Sequence, residues 1–249
     1  MAASVTAIYR YPVKGLGEEA LARVALEPGR HIAHDRRWAL AHAGSGWDPD
    51  TRAFVSRRNF VQTAHTPELA ATSLAFDGQA VTVSAPGREP ISADPEDAGG
   101  AAMLAAWAEG VAGHRQPGPY RLATLPEGAL TDVADAHLSI LSDASLRALS
   151  QAAGRTMERR RFRGNIWIDG TAPWEEFDWV DREIRIGAVR LRVMKRIDRC
   201  AATTASPASG RRDTATLEIL REHWDHIDFG IYAQVIEGGE IAPGDPIEA

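Results

Sequence analysis

One cysteine, Cys200, in a chain of 249 residues excludes an intramolecular disulfide, a cysteine-rich zinc site and an iron–sulfur cluster, each of which needs several thiols. Basic residues are also scarce. The 28 Lys and Arg against 34 Asp and Glu give a formal net charge of −6 with histidines neutral, whereas binders of nucleic acid or of anionic membrane carry a strong basic excess. No run of about 18 apolar residues occurs, and Met1 to Ala7 lacks a basic segment followed by an apolar one, so a cytoplasmic chain with no membrane anchor is expected. The eight histidines include no His-x-x-x-His pair, since His223 and His226 are three apart. Gly44-Ser45-Gly46 lacks the Lys-Ser/Thr ending of a phosphate loop and reads as a turn. There is no internal repeat or low-complexity tract beyond a modest Ala/Gly bias.

What is present is a globular composition, 44 % hydrophobic and 25 % charged, sufficient for a large core. Strand-like runs cover Val5 to Tyr9, Trp38 to His42, Ser73 to Phe76 and Ala80 to Ser84. Asp77-Gly78 predicts a hairpin with a type I′ turn between the last two. Ala98 to Val111 has a helical period, with Leu104, Ala108 and Val111 on one face and Gly113 as the stop. Arg115 to Tyr120 has neither period, and the Pro117 to Pro119 hinge suggests a boundary, giving regions 1–117 and 118–249. A second helix fits Asp143 to Ala153, capped by Ser142 or Asp143, with Gly154 beyond its end. Strands are expected at Asn165 to Ile168, Glu183 to Ile186 and Val189 to Val193, the last two forming a hairpin through Gly187-Ala188. A third helix from Asp213 or Thr214 to His223, then strands at Ile231 to Ile236 and around Ile241, complete a β-barrel-rich reading.

Chemistry can be sought at Cys200, which follows a strand in Asp198-Arg199-Cys200-Ala201-Ala202-Thr203-Thr204. Arg199, Arg196 and Lys195 lie within five residues and would favour a thiolate; the other reading is a buried thiol acting as a small hydrophobe. Lys14, Arg36-Arg37, Arg57-Arg58 and Arg163 fall at turn-like positions. They either converge on one phosphate-bearing ligand, which guanidinium forks suit, or form scattered solvated ion pairs. Glu175, Glu176 and Asp178 offer either acid–base carboxylates or an amphipathic turn capped by Trp174 and Trp179.

Five landmarks occur in order across Val5 to Ile247. They are Tyr11-Pro12-Val13-Lys14-Gly15, Asp35-Arg36-Arg37-Trp38, Phe162-Arg163-Gly164-Asn165-Ile166, Arg199-Cys200 with Thr203-Thr204, and Phe229-Gly230 through Gly244-Asp245. Together they resemble a MOSC protein with its N-terminal β-barrel domain, similar to amidoxime-reducing components and to the C-terminal module of molybdenum-cofactor sulfurases. The resemblance implies a mixed, β-rich α+β fold: a MOSC β-barrel at 118–249, packed on an N-terminal β-barrel-like region at 1–117. The molybdenum cofactor (Mo-molybdopterin) would lie in the cleft between them. By the same resemblance Cys200 is the molybdenum ligand. Lys14, Gly15 through its backbone N–H, Arg36, Ser142, Arg163, Asn165, Arg199 and Tyr232 would contact the cofactor.

The implied activity is an oxidoreductase reducing N-hydroxylated or other N-oxygenated compounds, with electrons from a separate donor protein. The alternatives are a sulfur carrier with a persulfide on Cys200, a cofactor-handling protein, or a binding module with a degenerate site. Three departures from the family pattern stand out. Gly15 replaces a serine, Gly164 replaces a proline and is expected to loosen its loop, and Thr204-Ala205-Ser206-Pro207 lacks the usual aspartate, leaving its turn bond open.

Overall fold

The computed structural model describes residues 3–113, 115–125 and 128–249. In chain order the first strands are β1 (Ser4–Arg10), β2 (Val13–Lys14), β3 (Glu19–Leu21), β4 (Val24–Leu26) and β5 (Trp38–Ala41), followed by β6 (Ser73–Phe76), β7 (Val81–Ala85) and β8 (Arg88–Ala93). Helix α1 (Ala98–Ala112) leads to β9 (Arg121–Thr124), β10 (Leu138–Ser142), α2 (Asp143–Ala152) and β11 (Ile166–Asp169). Next come β12 (Glu183–Ile186), β13 (Val189–Asp198), α3 (Thr216–Trp224), β14 (Asp228–Glu237), β15 (Gly239–Ile241) and β16 (Ile247–Glu248). No helix among the described residues is long and apolar enough to cross a membrane.

The helix ends follow capping chemistry. Asp97 accepts the Gly100 N–H at 2.9 Å and starts α1, and Gly113 ends it in the left-handed region at φ 62. Ser142 accepts the Ser145 N–H and starts α2. Helix α3 begins at Thr216, later than the sequence suggests, because Asp213 spends its carboxylate on Arg161 at 2.8 and 3.1 Å instead of capping. The β6–β7 turn has positive φ at Gly78 alone, with Asp77 accepting the Gln79 and Ala80 N–H groups. That is the type II′ arrangement, with glycine first of the two central residues, rather than type I′.

An eight-stranded sheet, ordered β16-β12-β13-β14-β10-β11-β1-β3, holds most of the second half. Val189, Leu191 and Val193 alternate inward along β13, as the period of two requires. All five residues of β10 are buried, so this strand shows no alternation and is invisible to a period-of-two search. In β8, Pro90 makes the segment look like a loop, which the edge position next to β7 tolerates.

The two halves exchange strands. β1 pairs with β11 and β4 with β15, while β9, past Pro117 to Pro119, pairs back onto β5. One core lies against the eight-stranded sheet, around Ile140, Ile166, Leu191 and Ile231; a second packs α1 on β5, β6 and β7 through Leu104 and Ala108. Each fully buried aliphatic side chain contributes about 1.5–3 kcal/mol. These cores fix the walls of the seam where the halves meet.

Candidate functional site

The first wall of that seam comes from the segment after β1. Lys14 ends β2, which lies parallel to β5, and its Nζ donates to Leu130 O at 2.8 Å and to Asp132 at 2.5 Å. Gly15 follows at φ +90, and a Cβ there would sit 3.3 Å from Val61 O. Arg36 occupies the left-handed region at φ 50, a conformation that costs a non-glycine residue on the order of 1 kcal/mol. Its guanidinium pairs with Asp35 and donates to Asn165 Oδ1 at 3.3 Å and to Arg163 O at 3.0 Å. Asp35 itself is 3 % exposed and accepts the Tyr11 N–H at 2.9 Å.

The second wall comes from the Phe162-Arg163-Gly164-Asn165 corner and the end of β13. Arg163 is also left-handed at φ 50. Its Nη1 donates to Leu16 O at 2.6 Å, and its buried Nη2 has no partner among the described residues. Asn165 is clamped from both sides: its Oδ1 accepts from Ser139 Oγ at 2.9 Å, and its Nδ2 donates to Tyr9 O at 3.2 Å. Arg199 donates to Phe162 O at 2.8 Å and, through Nε, to Phe229 O at 2.8 Å. Cys200 follows at the start of the 3-10 turn Ala201–Thr204, with its side chain exposed. Exposure removes the reading of this thiol as a small hydrophobe in the core.

Between these walls lies a cavity of about 170 Å³. Lys14, Gly15, Arg36, Arg163, Asn165, Arg199, Cys200 and Tyr232 all line it. The basic residues at turns therefore converge. Ser142 is not among the lining residues. It is fully buried at the start of α2, where its Oγ caps the Ser145 N–H and meets Thr171; Ser139, three residues earlier on β10, reaches the cavity instead.

Sequence reading missed Asp35, Asp132 and His137, which also line the cavity. Asp35 adjoins Arg36 and was legible as its counterion, but Asp132 and His137 carry no local signal. Glu176 is buried away from the cavity lining and accepts from Ser145 Oγ at 2.9 Å. Burial pushes its carboxyl up to about 7, and it ties the Glu175–Trp179 turn to α2.

Electrostatics divide the cations. Burial pulls Arg36 down, yet Asp35 and its hydrogen bond leave it above the ordinary guanidinium value. Burial lowers Lys14 more than Asp132 restores it. Arg161, also in the lining, is held by Glu158 and Asp213, whereas Arg163 and Arg199 have no carboxylate ion-pair partner among the described residues, and burial lowers both, Arg199 to about 10. Each still carries its charge at neutral pH. Burial also raises the Tyr232 phenol and lowers His137 to about 4, so both are neutral in the cleft.

The family profile described as MOSC domain matches residues 114–248, more than half of the chain, and that described as MOSC N-terminal beta barrel domain matches residues 2–112. The chain belongs to the MOSC family. Molybdenum cofactor sulfurase 2 of Culex quinquefasciatus is 36 % identical over 81 residues, which cover 32 % of this chain and 10 % of that protein. This chain therefore matches about a tenth of the relative's length. The YuaD protein from Bacillus subtilis aligns over 99 % of this chain and 94 % of its own, with 12 % identity and a TM-score of 0.47. YiiM from Geobacillus stearothermophilus aligns over 44 % of this chain and 52 % of its own, with 16 % identity and a TM-score of 0.34.

As a MOSC protein the chain accommodates its three departures locally. The left-handed turn at Gly15 suits glycine, so a serine there would be strained. A Cβ on Gly164 would lie 2.3 Å from Leu141 Cδ1, so the leucine fills the space of the missing ring. That corner is packed, and Gly164 O accepts the Tyr11 hydroxyl at 3.2 Å; the expected loosening is not what the contacts describe. Ser206 Oγ accepts the Ala208 N–H at 3.3 Å, a serine turn in place of the aspartate one.

Proposed function

We propose that the chain binds the molybdenum cofactor in this cleft and acts as an oxidoreductase on N-oxygenated compounds. One observation carries the reading: Arg163 and Arg199 line a cavity without carboxylate partners, Arg163 keeps a buried guanidinium nitrogen unpaired, and an exposed thiol sits beside them. Gathered like charges favour an anion, and a soft thiolate favours a thiophilic metal. The residues present thus fit a group that combines a phosphate with a metal. Lys14, Arg36, Arg163, Asn165 and Arg199 would hold the phosphate and pterin, Gly15 would offer its N–H, and Cys200 would ligate molybdenum.

When bound, the cofactor supplies two-electron redox chemistry, and the protein supplies ligation, orientation and charge. Removing oxygen from an N-hydroxylated compound consumes two electrons and two protons and releases water. The electrons would come from a separate donor protein. Tyr232, held neutral by burial, keeps a phenolic proton at the cavity wall. His137 is also neutral there, and its Nδ1 is bonded to Asp135 O, which leaves Nε2 as an acceptor for an N–H or O–H of the substrate.

A second reading is a sulfur carrier or cofactor-handling protein, favoured by the segment shared with molybdenum cofactor sulfurase 2 and by the exposure of Cys200. A persulfide carrier needs an accessible thiol but not the cationic set. Protein made in a host that synthesises the cofactor is expected to carry about one molybdenum per chain and, with an artificial reductant, to reduce an amidoxime. Cys200→Ser is expected to lose metal and turnover, because a neutral hydroxyl poorly replaces a thiolate. Absence of molybdenum under those conditions, with transfer of sulfur from a cysteine desulfurase through the apo-protein, would replace the first reading with the second.

A further inference from the structure

Tyr11 is not a cavity-lining residue, yet two of the cavity's cations meet on it. It is 1 % exposed, and the guanidinium carbons of Arg36 and Arg163 each lie 4.5 Å from the centre of its ring. Its hydroxyl donates to Gly164 O at 3.2 Å, and its backbone N–H donates to Asp35 at 2.9 Å. One residue of β1's C-terminal extension therefore touches the arginine corner of each half. Arg36 also donates to the main-chain O of Arg163 at 3.0 Å, and the two like charges share the one ring.

Two guanidiniums held together need compensation. A carboxylate supplies it but occupies their N–H donors and competes with an anionic ligand. An aromatic face supplies part of it through its quadrupole, takes up no donor, and brings no net charge. The structure uses both devices unequally. Arg36 has Asp35 as well as the ring, whereas Arg163 has the ring and one carbonyl, and its Nη2 is left without a partner. Arg199 repeats the arrangement more loosely, 5.7 Å from Phe162 and 5.9 Å from Phe229.

We infer that Tyr11 is a positioning residue of the anion site: its ring stabilises Arg36 and Arg163 as a charged pair without taking up a donor, so that Arg163 Nη2 stays open to a phosphate oxyanion. This rests on the cofactor-phosphate reading above. It assigns the ring, rather than the hydroxyl, as the part that acts.

The test measures binding of inorganic pyrophosphate to the full chain prepared free of molybdenum cofactor, by calorimetry, with near-ultraviolet circular dichroism to confirm folding. Tyr11→Phe is expected to bind within about twofold of wild type, and Tyr11→Leu about tenfold more weakly. Replacing Tyr11 by trifluorophenylalanine keeps the ring's shape but drains its face of electron density, and is expected to weaken binding about fivefold relative to Tyr11→Phe. A purely packing role would not register that last change, and the Phe–trifluorophenylalanine pair decides the matter even if Tyr11→Leu fails to fold. Equal affinity across the pair, or a loss in Tyr11→Phe as large as in Tyr11→Leu, overturns the inference while leaving the anion site standing. No pyrophosphate binding by wild type overturns the phosphate reading and this inference together.

Discussion

The two walls of the cleft treat their cations differently. On the N-terminal wall Lys14 and Arg36 each hold a carboxylate, Asp132 and Asp35. On the C-terminal wall Arg161 holds Glu158 and Asp213, but Arg163 and Arg199 hold only backbone oxygens and aromatic faces. The first arrangement stabilises the folded protein without a ligand. The second keeps charge in reserve, which the fold sustains through main-chain hydrogen bonds and ring contacts. The difference suggests a division of labour in which the carboxylate-paired cations Lys14, Arg36 and Arg161 serve folding while Arg163 and Arg199 serve binding.

Deleting one arginine from each wall should break the comparison most sharply. Arg36→Ala leaves Asp35 buried without its partner and is expected to cost about 3–5 kcal/mol, read as a large fall in the urea midpoint. Arg163→Ala removes an unpaired charge and is expected to leave the melting temperature within a few degrees. It should nevertheless lower pyrophosphate affinity by about 100-fold and abolish retained molybdenum. If the two variants exchanged these phenotypes, the division would be wrong. Asp132→Asn frees Lys14 from its counterion and is expected to raise pyrophosphate affinity about threefold, a small gain because Asp132 is half-exposed.

Acid should reveal a further asymmetry. Burial holds folded His137 at about 4, while an unfolded histidine takes a proton near 6.5. Between those values the unfolded state binds a proton that the folded state refuses, so stability falls as pH drops from about 6.5 to about 4. His137→Gln is expected to reduce the slope across that window in denaturant titrations, the remainder coming from His31, His34 and His226, which burial also lowers. The smallest effect is a control outside the cleft. Arg147 and Asp169 pair bidentately at 2.7 and 2.9 Å but in an exposed position, and Arg147→Ala should cost less than about 1 kcal/mol.

Much of the secondary structure was legible because its signals are local. Alternation marked the first half of β13, the helical period and Gly113 marked α1, and Ser142 announced α2. The resemblance also put Ser142 at the cofactor, but its side chain is fully buried at the start of α2 against Ser145 and Thr171 and does not line the cleft. β10 was missed because burial on both faces erases alternation, and α3 began late because a distant arginine had claimed Asp213.

By itself the sequence determined the chemical inventory: a single thiol, a set of cations at chain reversals, and the order of landmarks that marks the MOSC family. Those properties are carried by residue type and short spacing. Tertiary structure decided which cations are neutralised and which are not. Lys14 finds Asp132 across 118 positions, and Arg163 meets the ring of Tyr11 only because β1 pairs with β11. Counterions are chosen by proximity after folding, and exchanged strands bring together residues whose separation along the chain carries no trace of their contact.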